Sequence, residues 1–196
     1  MKKPSLFLVI VAALVLLFAF ACNKKTEGTS TDTANTTTSV AASDTSGTTT
    51  TATQMSSDDQ TFMQKAATGG MAEVSLGQQV SPVAKNADAK KFADKMVTDH
   101  GKANDELKQL ASTKNVPLPT DTDQEHKDAA QKVMSSKDVD KAYMDEMVKD
   151  HDKDVKEFED ASKSAKDADL KAWIEKTLPV LKEHQKMAHD INSKMK

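Results

Sequence analysis

The sequence predicts an all-α protein in which residues 58–196 form an antiparallel up-down four-helix bundle. Three observations lead there. Apolar residues recur at three- and four-residue intervals through four long stretches, the pattern of helices that bury one face. Polar, proline-bearing segments separate them, NVPLPTD (Asn115–Asp121) being the clearest, because proline lacks the N–H that would continue a helix. One phrase also occurs twice: FADKMVTDH at 92–100 and YMDEMVKDH at 143–151, so Met96, Val97, Asp99 and His100 return 51 residues later as Met147, Val148, Asp150 and His151. Such a repeat marks an internal duplication.

The chain opens with Lys2 and Lys3, an apolar run from Leu6 to Phe20, Ala21, and Cys22, its single cysteine. A run of about 15 residues is short of the roughly 20 needed to cross a bilayer, so residues 1–21 read as an export signal peptide. They resemble a bacterial lipoprotein signal, with Ala19 where such signals most often carry Leu. Cys22 would then be lipidated and hold the protein to a membrane by its acyl anchor. Cleavage near Ala19–Ala21 with Cys22 left free is the other reading, and it puts an exposed thiol in an oxidising compartment. Asn23 is not the aspartate that signals inner-membrane retention in many such lipoproteins, so the resemblance implies the outer membrane where the organism has one. Residues 22–57 are mostly Thr, Ser, Ala and Asp. Such a segment buries too little to fold and reads as a disordered tether with a reach of roughly 30–35 Å.

The first helix is expected from Ser57, where SSDDQ supplies a Ser cap, a Gln three residues on and acids for the first turn. Its inward stripe reads Phe62, Ala66, Gly69, Gly70, Glu73, Leu76, Gly77 and Val80. The glycines weaken the helix by about 1 kcal/mol each relative to alanine, but let a neighbour approach closely beside Glu73. The second helix runs from about Ala87 to Lys114 with Ala89, Phe92, Ala93, Met96, Val97, His100, Ala103, Leu107 and Leu110 inward. A short amphipathic piece follows at about Asp123–Met134. The third long helix occupies about Asp138–Ser164 (Met144, Met147, Val148, His151, Val155, Phe158). The fourth occupies about Ala168–Met195 (Leu170, Trp173, Ile174, Leu181, His184, Met187, Ala188, Ile191), with a bend expected at Pro179.

Glu73, His100, His151 and His184 each lie roughly 13–17 residues into a helix, about 20–25 Å along its axis. In an antiparallel bundle those heights coincide, so four inward polar side chains should form one mid-bundle layer. Two readings fit it. The layer is a hydrogen-bonded cluster that fixes the register of the bundle, or it is a metal site, since three imidazoles and a carboxylate suit zinc, copper or iron. Asp99, Asp150 and Glu183 each precede a histidine and point toward adjacent helices, where they could orient another helix's imidazole. Met96, Met147 and Met187 lie one turn from the histidines; thioethers favour cuprous copper, but methionine is also a common core filler. His126 and His189 fall off the inward stripes.

Several chemistries have no support. All basic residues are lysine and the net charge is −3, which argues against nucleic acid. The Glu-x-x-His pairs of di-iron carboxylate bundles are absent, with Val97, Val148 and Leu181 three residues before the histidines. Phosphate loops, nucleophile elbows and Cys-x-x-Cys pairs are also missing.

Taken together, FMQKAA…GMAEV (Phe62–Val74), KFADKMVTDH (Lys91–His100), YMDEMVKDH (Tyr143–His151) and LPVLKEH (Leu178–His184) resemble the domain of unknown function 4142 family over about Asp59–Asp190. DVDKAY (Asp138–Tyr143) departs from the Phe-Asp turn of that family. The resemblance implies a ferritin-like bundle in the cell envelope and carries no settled activity. The expected function is that of a non-enzymatic, envelope-anchored lipoprotein with a binding or stress-protection role and an unknown protein partner. The alternative is a metal-binding bundle that scavenges or chaperones a divalent or cuprous ion through Glu73, His100, His151 and His184.

Overall fold

A computed structural model of the chain describes residues 55–195. The expected signal peptide, Cys22 and the tether as far as residue 54 lie outside the described residues. Five α-helices and no strand are present among those described: α1 (Ser57–Val80), α2 (Ala87–Lys114), α3 (Gln124–Met134), α4 (Val139–Ser164) and α5 (Ala168–Asn192). None of them is long and apolar enough to cross a membrane.

Every helix start carries a side-chain cap. Ser56, Asn86, Asp123, Asp138 and Asp167 accept from backbone N–H groups of the first turns that follow them, satisfying donors that a helix start leaves open. At its far end α2 stops at Asn115, whose backbone is left-handed (φ 54°). α5 continues through Pro179.

Cross-helix contacts give the directions. Gly77 packs on Ala93 and Glu73 meets His100, so α1 and α2 are antiparallel. Asp145 with Asn192 and Asp152 with Gln185 set α4 against α5. Lys95 with Glu183 and Lys176 with Glu106 set α2 against α5. Two buried or half-buried carboxylates tie the ends together. Asp59, at the start of α1, accepts from the N–H groups of Lys166 and Asp167 just before α5. Asp140, at the start of α4, accepts from Lys85 and Asn86 just before α2.

These contacts correct the expected simple up-down four-helix order. α1 and α5 start at one end, whereas α2 and α4 start at the other. The physical reason is the segment 115–138. Instead of a short turn it is a crossover carrying α3, which packs against α1 and α4 and returns the chain to the end where α2 began.

Inside, the apolar core falls into two clusters. One holds Met63, Leu107, Phe158, Trp173 and Ile174; the other holds Val80, Phe92, Met96, Tyr143 and Met147. The sequence stripe needs small corrections. Met63 and Ala67 face the core of α1, while Phe62 and Ala66 pack at its margin. Phe62 instead meets Phe158 edge-on, ring centroids 5.0 Å apart. Ala111 replaces Leu110 on the buried line of α2, and Met187 is only half-buried. Met55, ahead of α1, is buried in the first cluster.

Candidate metal centre

Between the two apolar clusters lies a polar layer, Glu73 on α1, His100 on α2, His151 on α4 and His184 on α5, at most 5 % exposed. His100 and His151 sit at the middle of α2 and α4, so the direction of α4 barely changes the height of its histidine, while Glu73 and His184 lie about two thirds along α1 and α5, which start at the same end. Close helix approach is what lets α1 deliver a carboxylate here. A Cβ at Gly77 would come within 2.9 Å of the Ala93 carbonyl oxygen, and one at Gly70 would collide with the Asn104 amide. Gly69 faces α4 instead and meets nothing nearer than 3.9 Å.

The three imidazoles form a triangle with ring centroids 5.7 Å (100–151), 5.2 Å (100–184) and 5.5 Å (151–184) apart. One ring nitrogen from each lies within 4.8 Å of those from the other two. Phe92 closes one side, its ring edge-on to His151 and His184.

In each ring one nitrogen is committed and the other is not. His100 Nδ1 lies 2.6 Å from Glu73 Oε2. His151 Nδ1 donates to the Met147 carbonyl at 2.9 Å. His184 Nε2 donates to Asp99 Oδ2 at 2.8 Å, and Lys95 holds that carboxylate from behind at 3.0 Å. The remaining nitrogens, His100 Nε2, His151 Nε2 and His184 Nδ1, are buried without a hydrogen-bond partner. The acceptor opposite each ring fixes the tautomer and leaves a lone pair on the free nitrogen. His151 Nε2 lies 3.3 Å from Glu73 Oε1, a lone pair facing a carboxylate.

Burial disfavours the protonated forms of two of the imidazoles. Burial, then the neighbouring His100, push His184 down to about 4 despite the Asp99 bond. Burial likewise lowers His151 against the pull of Glu73. Burial alone would raise the Glu73 carboxyl, but His100 and His151 beside it outweigh that and hold it below the usual range.

The three acids preceding the histidines part company. Asp99 reaches His184 on α5, whereas Glu183 is exposed and pairs with Lys95 at 3.4 Å. Asp150 bonds no imidazole: burial and the charges of Glu146 and Glu73 push its carboxyl up to about 7. The duplication explains the contrast. α2 and α4 present equivalent faces, but the helix opposite Asp99 offers an imidazole, whereas Glu73 on α1 stands opposite Asp150. His126 and His189 pair with Asp123 and Asp152 outside the layer. Met96 and Met147 are core residues of the second cluster. Asn104 and Thr177, both buried polar residues near the layer, carried no sequence signal because each continues an ordinary helical face.

Two solved structures share the fold. A DUF305 fragment from Deinococcus radiodurans superposes with a TM-score of 0.64 at 7% identity, over 72% of this chain and 99% of that one. CopM in its Cu(II)-bound form superposes with a TM-score of 0.60 at 14% identity, over 69% of this chain and 95% of that one. No curated protein matches the chain. A family model matches residues 44–191, most of the sequence, and the chain belongs to the family it describes, the domain of unknown function DUF4142.

Proposed function

We propose that the protein is a metal-binding domain whose three histidines hold one divalent transition-metal ion, zinc or copper, at the centre of a ferritin-like four-helix bundle with α3 as its crossover. One observation carries the reading. Three buried imidazoles converge, each anchored at one nitrogen by a carboxylate or carbonyl and left without a partner at the other. That is the donor set of a metal site with its outer shell in place. A purely structural cluster would instead use those nitrogens on one another, since orphaned buried polar atoms cost stability.

His100 Nε2, His151 Nε2 and His184 Nδ1 are the proposed ligands. Glu73 serves as the carboxylate that orients His100, close enough for its Oε1 to share the ion's charge. Imidazole suits both zinc and copper; the Cu(II) bound by CopM is that protein's property and makes Cu2+ one of the two ions to test. The role proposed for the layer is to bind an ion. The proposal places the domain in the cell envelope, on a membrane anchor at Cys22 and the Thr/Ser-rich tether.

Elemental analysis and equilibrium titration of the protein with Zn2+ and Cu2+ test this. The expected result is about one ion per chain, lost in His151→Ala, as a three-histidine site requires. No uptake, together with a large loss of stability in His151→Ala, would make the layer a register-fixing cluster instead.

A further inference from the structure

A three-histidine centre sealed at mid-bundle needs a way in, and the seam between α1 and α4 supplies one. Outside that seam lies a groove of about 370 Å³ that α3 and its preceding loop help to form, lined by Asp123, Glu125 and His126 among others. Inside it lies a cleft of about 30 Å³ whose walls include Glu73 and His100, room for a water or a bare ion. The two cavities share Lys65, Gly69, Asp154 and Glu157. Glu73 and His100 are respectively 3 % and 5 % exposed, and His100 Nε2, on the inner wall, has no partner.

We propose that this seam is the entry route for the ion, with Asp154 and Glu157 as its capture point and Gly69 as its threshold. The inference rests on the metal-binding reading above. Three features favour it. Gly69 carries no side chain where the cavities join, and a Cβ there would lie 3.9 Å from Asp154 Oδ2. Among the described residues no lysine forms an ion pair with Asp154, and burial together with Glu73, Asp150 and Glu157 disfavours its charged form. A cation beside Asp154 relieves that repulsion, and Glu73 then offers the next carboxylate inward. The positive charges on this path are Lys65, exposed on the rim, and Lys153. On the opposite side of the bundle the α2/α5 cleft is lined by Lys95, Lys102 and Lys176 as well as acids, which suits a cation less well.

Stopped-flow mixing of the full-length protein with Cu2+ tests the route, read by quenching of Trp173, the single tryptophan, which lines the inner cleft. The Asp154→Asn/Glu157→Gln variant keeps side-chain shape and removes both acidic groups of the capture point. Its association rate should fall roughly tenfold at low salt, as lost steering predicts, and approach the parent rate at high salt. Stoichiometry should stay at the parent value. Asp105→Asn/Glu175→Gln, which removes two exposed acids of α2 and α5 that line none of these cavities, should load at nearly the parent rate. Equal slowing in both variants, or parent-rate loading in Asp154→Asn/Glu157→Gln with unchanged stoichiometry, overturns the route and leaves the histidine site standing. A parent protein that binds no Cu2+ and no Zn2+ overturns the site reading, and the route with it.

Discussion

Replacing Asp150 by asparagine should stabilise the metal-free protein, although it deletes a charged residue beside a core histidine. In the folded chain this carboxyl holds its proton to about pH 7, against 3.8 for an ordinary aspartate. Between those values the folded state binds more protons than the unfolded one, so this group makes stability fall as pH rises, and above about 7 its cost is complete. At about 1.4 kcal/mol per pH unit the ceiling is about 4 kcal/mol. A fifth of the side chain remains in water (21%), and Lys149 Nζ lies 4.0 Å away, so about half of that, ~2 kcal/mol, is the expected gain at pH 8. Urea unfolding of parent and Asp150→Asn with a chelator present measures it, and the gain should shrink severalfold by pH 4.5. A variant less stable than the parent at pH 8, or a gain that ignores pH, would refute the reasoning. A carboxylate held at such a cost beside Glu73 is one that a nearby cation would relieve.

Other outcomes follow from the same geometry. Asp99→Ala removes the acceptor at His184 Nε2 and should weaken ion binding about 10–100-fold while leaving the circular dichroism of the helices unchanged, as competition with a chelator will read. His184 is lowered to about 4 and His151 below 6.5, so at pH 6.5 the first has almost no proton to surrender and the second less than half of one. Calorimetry in two buffers should therefore find no more than about one proton released per ion, whereas three ordinary imidazoles would lose about half a proton each. Two glycines of α1 should respond to alanine with opposite signs. Gly77→Ala drives a methyl to 2.9 Å from the Ala93 carbonyl and should destabilise by about 1–3 kcal/mol. Gly69→Ala meets only Asp154 Oδ2, at an ordinary contact distance of 3.9 Å, and should stabilise by about 0.5–1 kcal/mol, both read by thermal unfolding.

Much of the positioning was legible in the sequence because it depends on spacing within single helices. Glu73, His100, His151 and His184 each continue an apolar stripe that sets their facing, and the mid-helix place of His100 and His151 sets a height that does not depend on chain direction. The duplicated Asp-His phrase marked α2 and α4 as equivalent. Chain direction was another matter. Nothing local in residues 115–138 states whether that segment turns back at once or carries α3 along α1 and α4, since that choice is made by packing between distant helices. For the same reason Asp99 and Asp150 look alike in sequence, yet one faces an imidazole and the other a carboxylate. Asp154 gave no local sign either, because its environment is assembled from α1 and α4 together.

Fold and function rest on different evidence here. Five helices with two apolar clusters would satisfy the hydrophobic pattern with leucine in place of the central layer. Three histidines and a glutamate at that height weaken the core unless their free nitrogens gain a partner. X-ray absorption at the metal edge of the Zn2+- or Cu2+-loaded protein measures that partner directly. The expected spectrum has three imidazole nitrogens at about 2.0–2.1 Å, with their outer-ring scattering, and loses that signature in His100→Ala. A first shell of oxygens alone, or a spectrum unchanged by His100→Ala, would contradict the assignment of the ion to the central histidines.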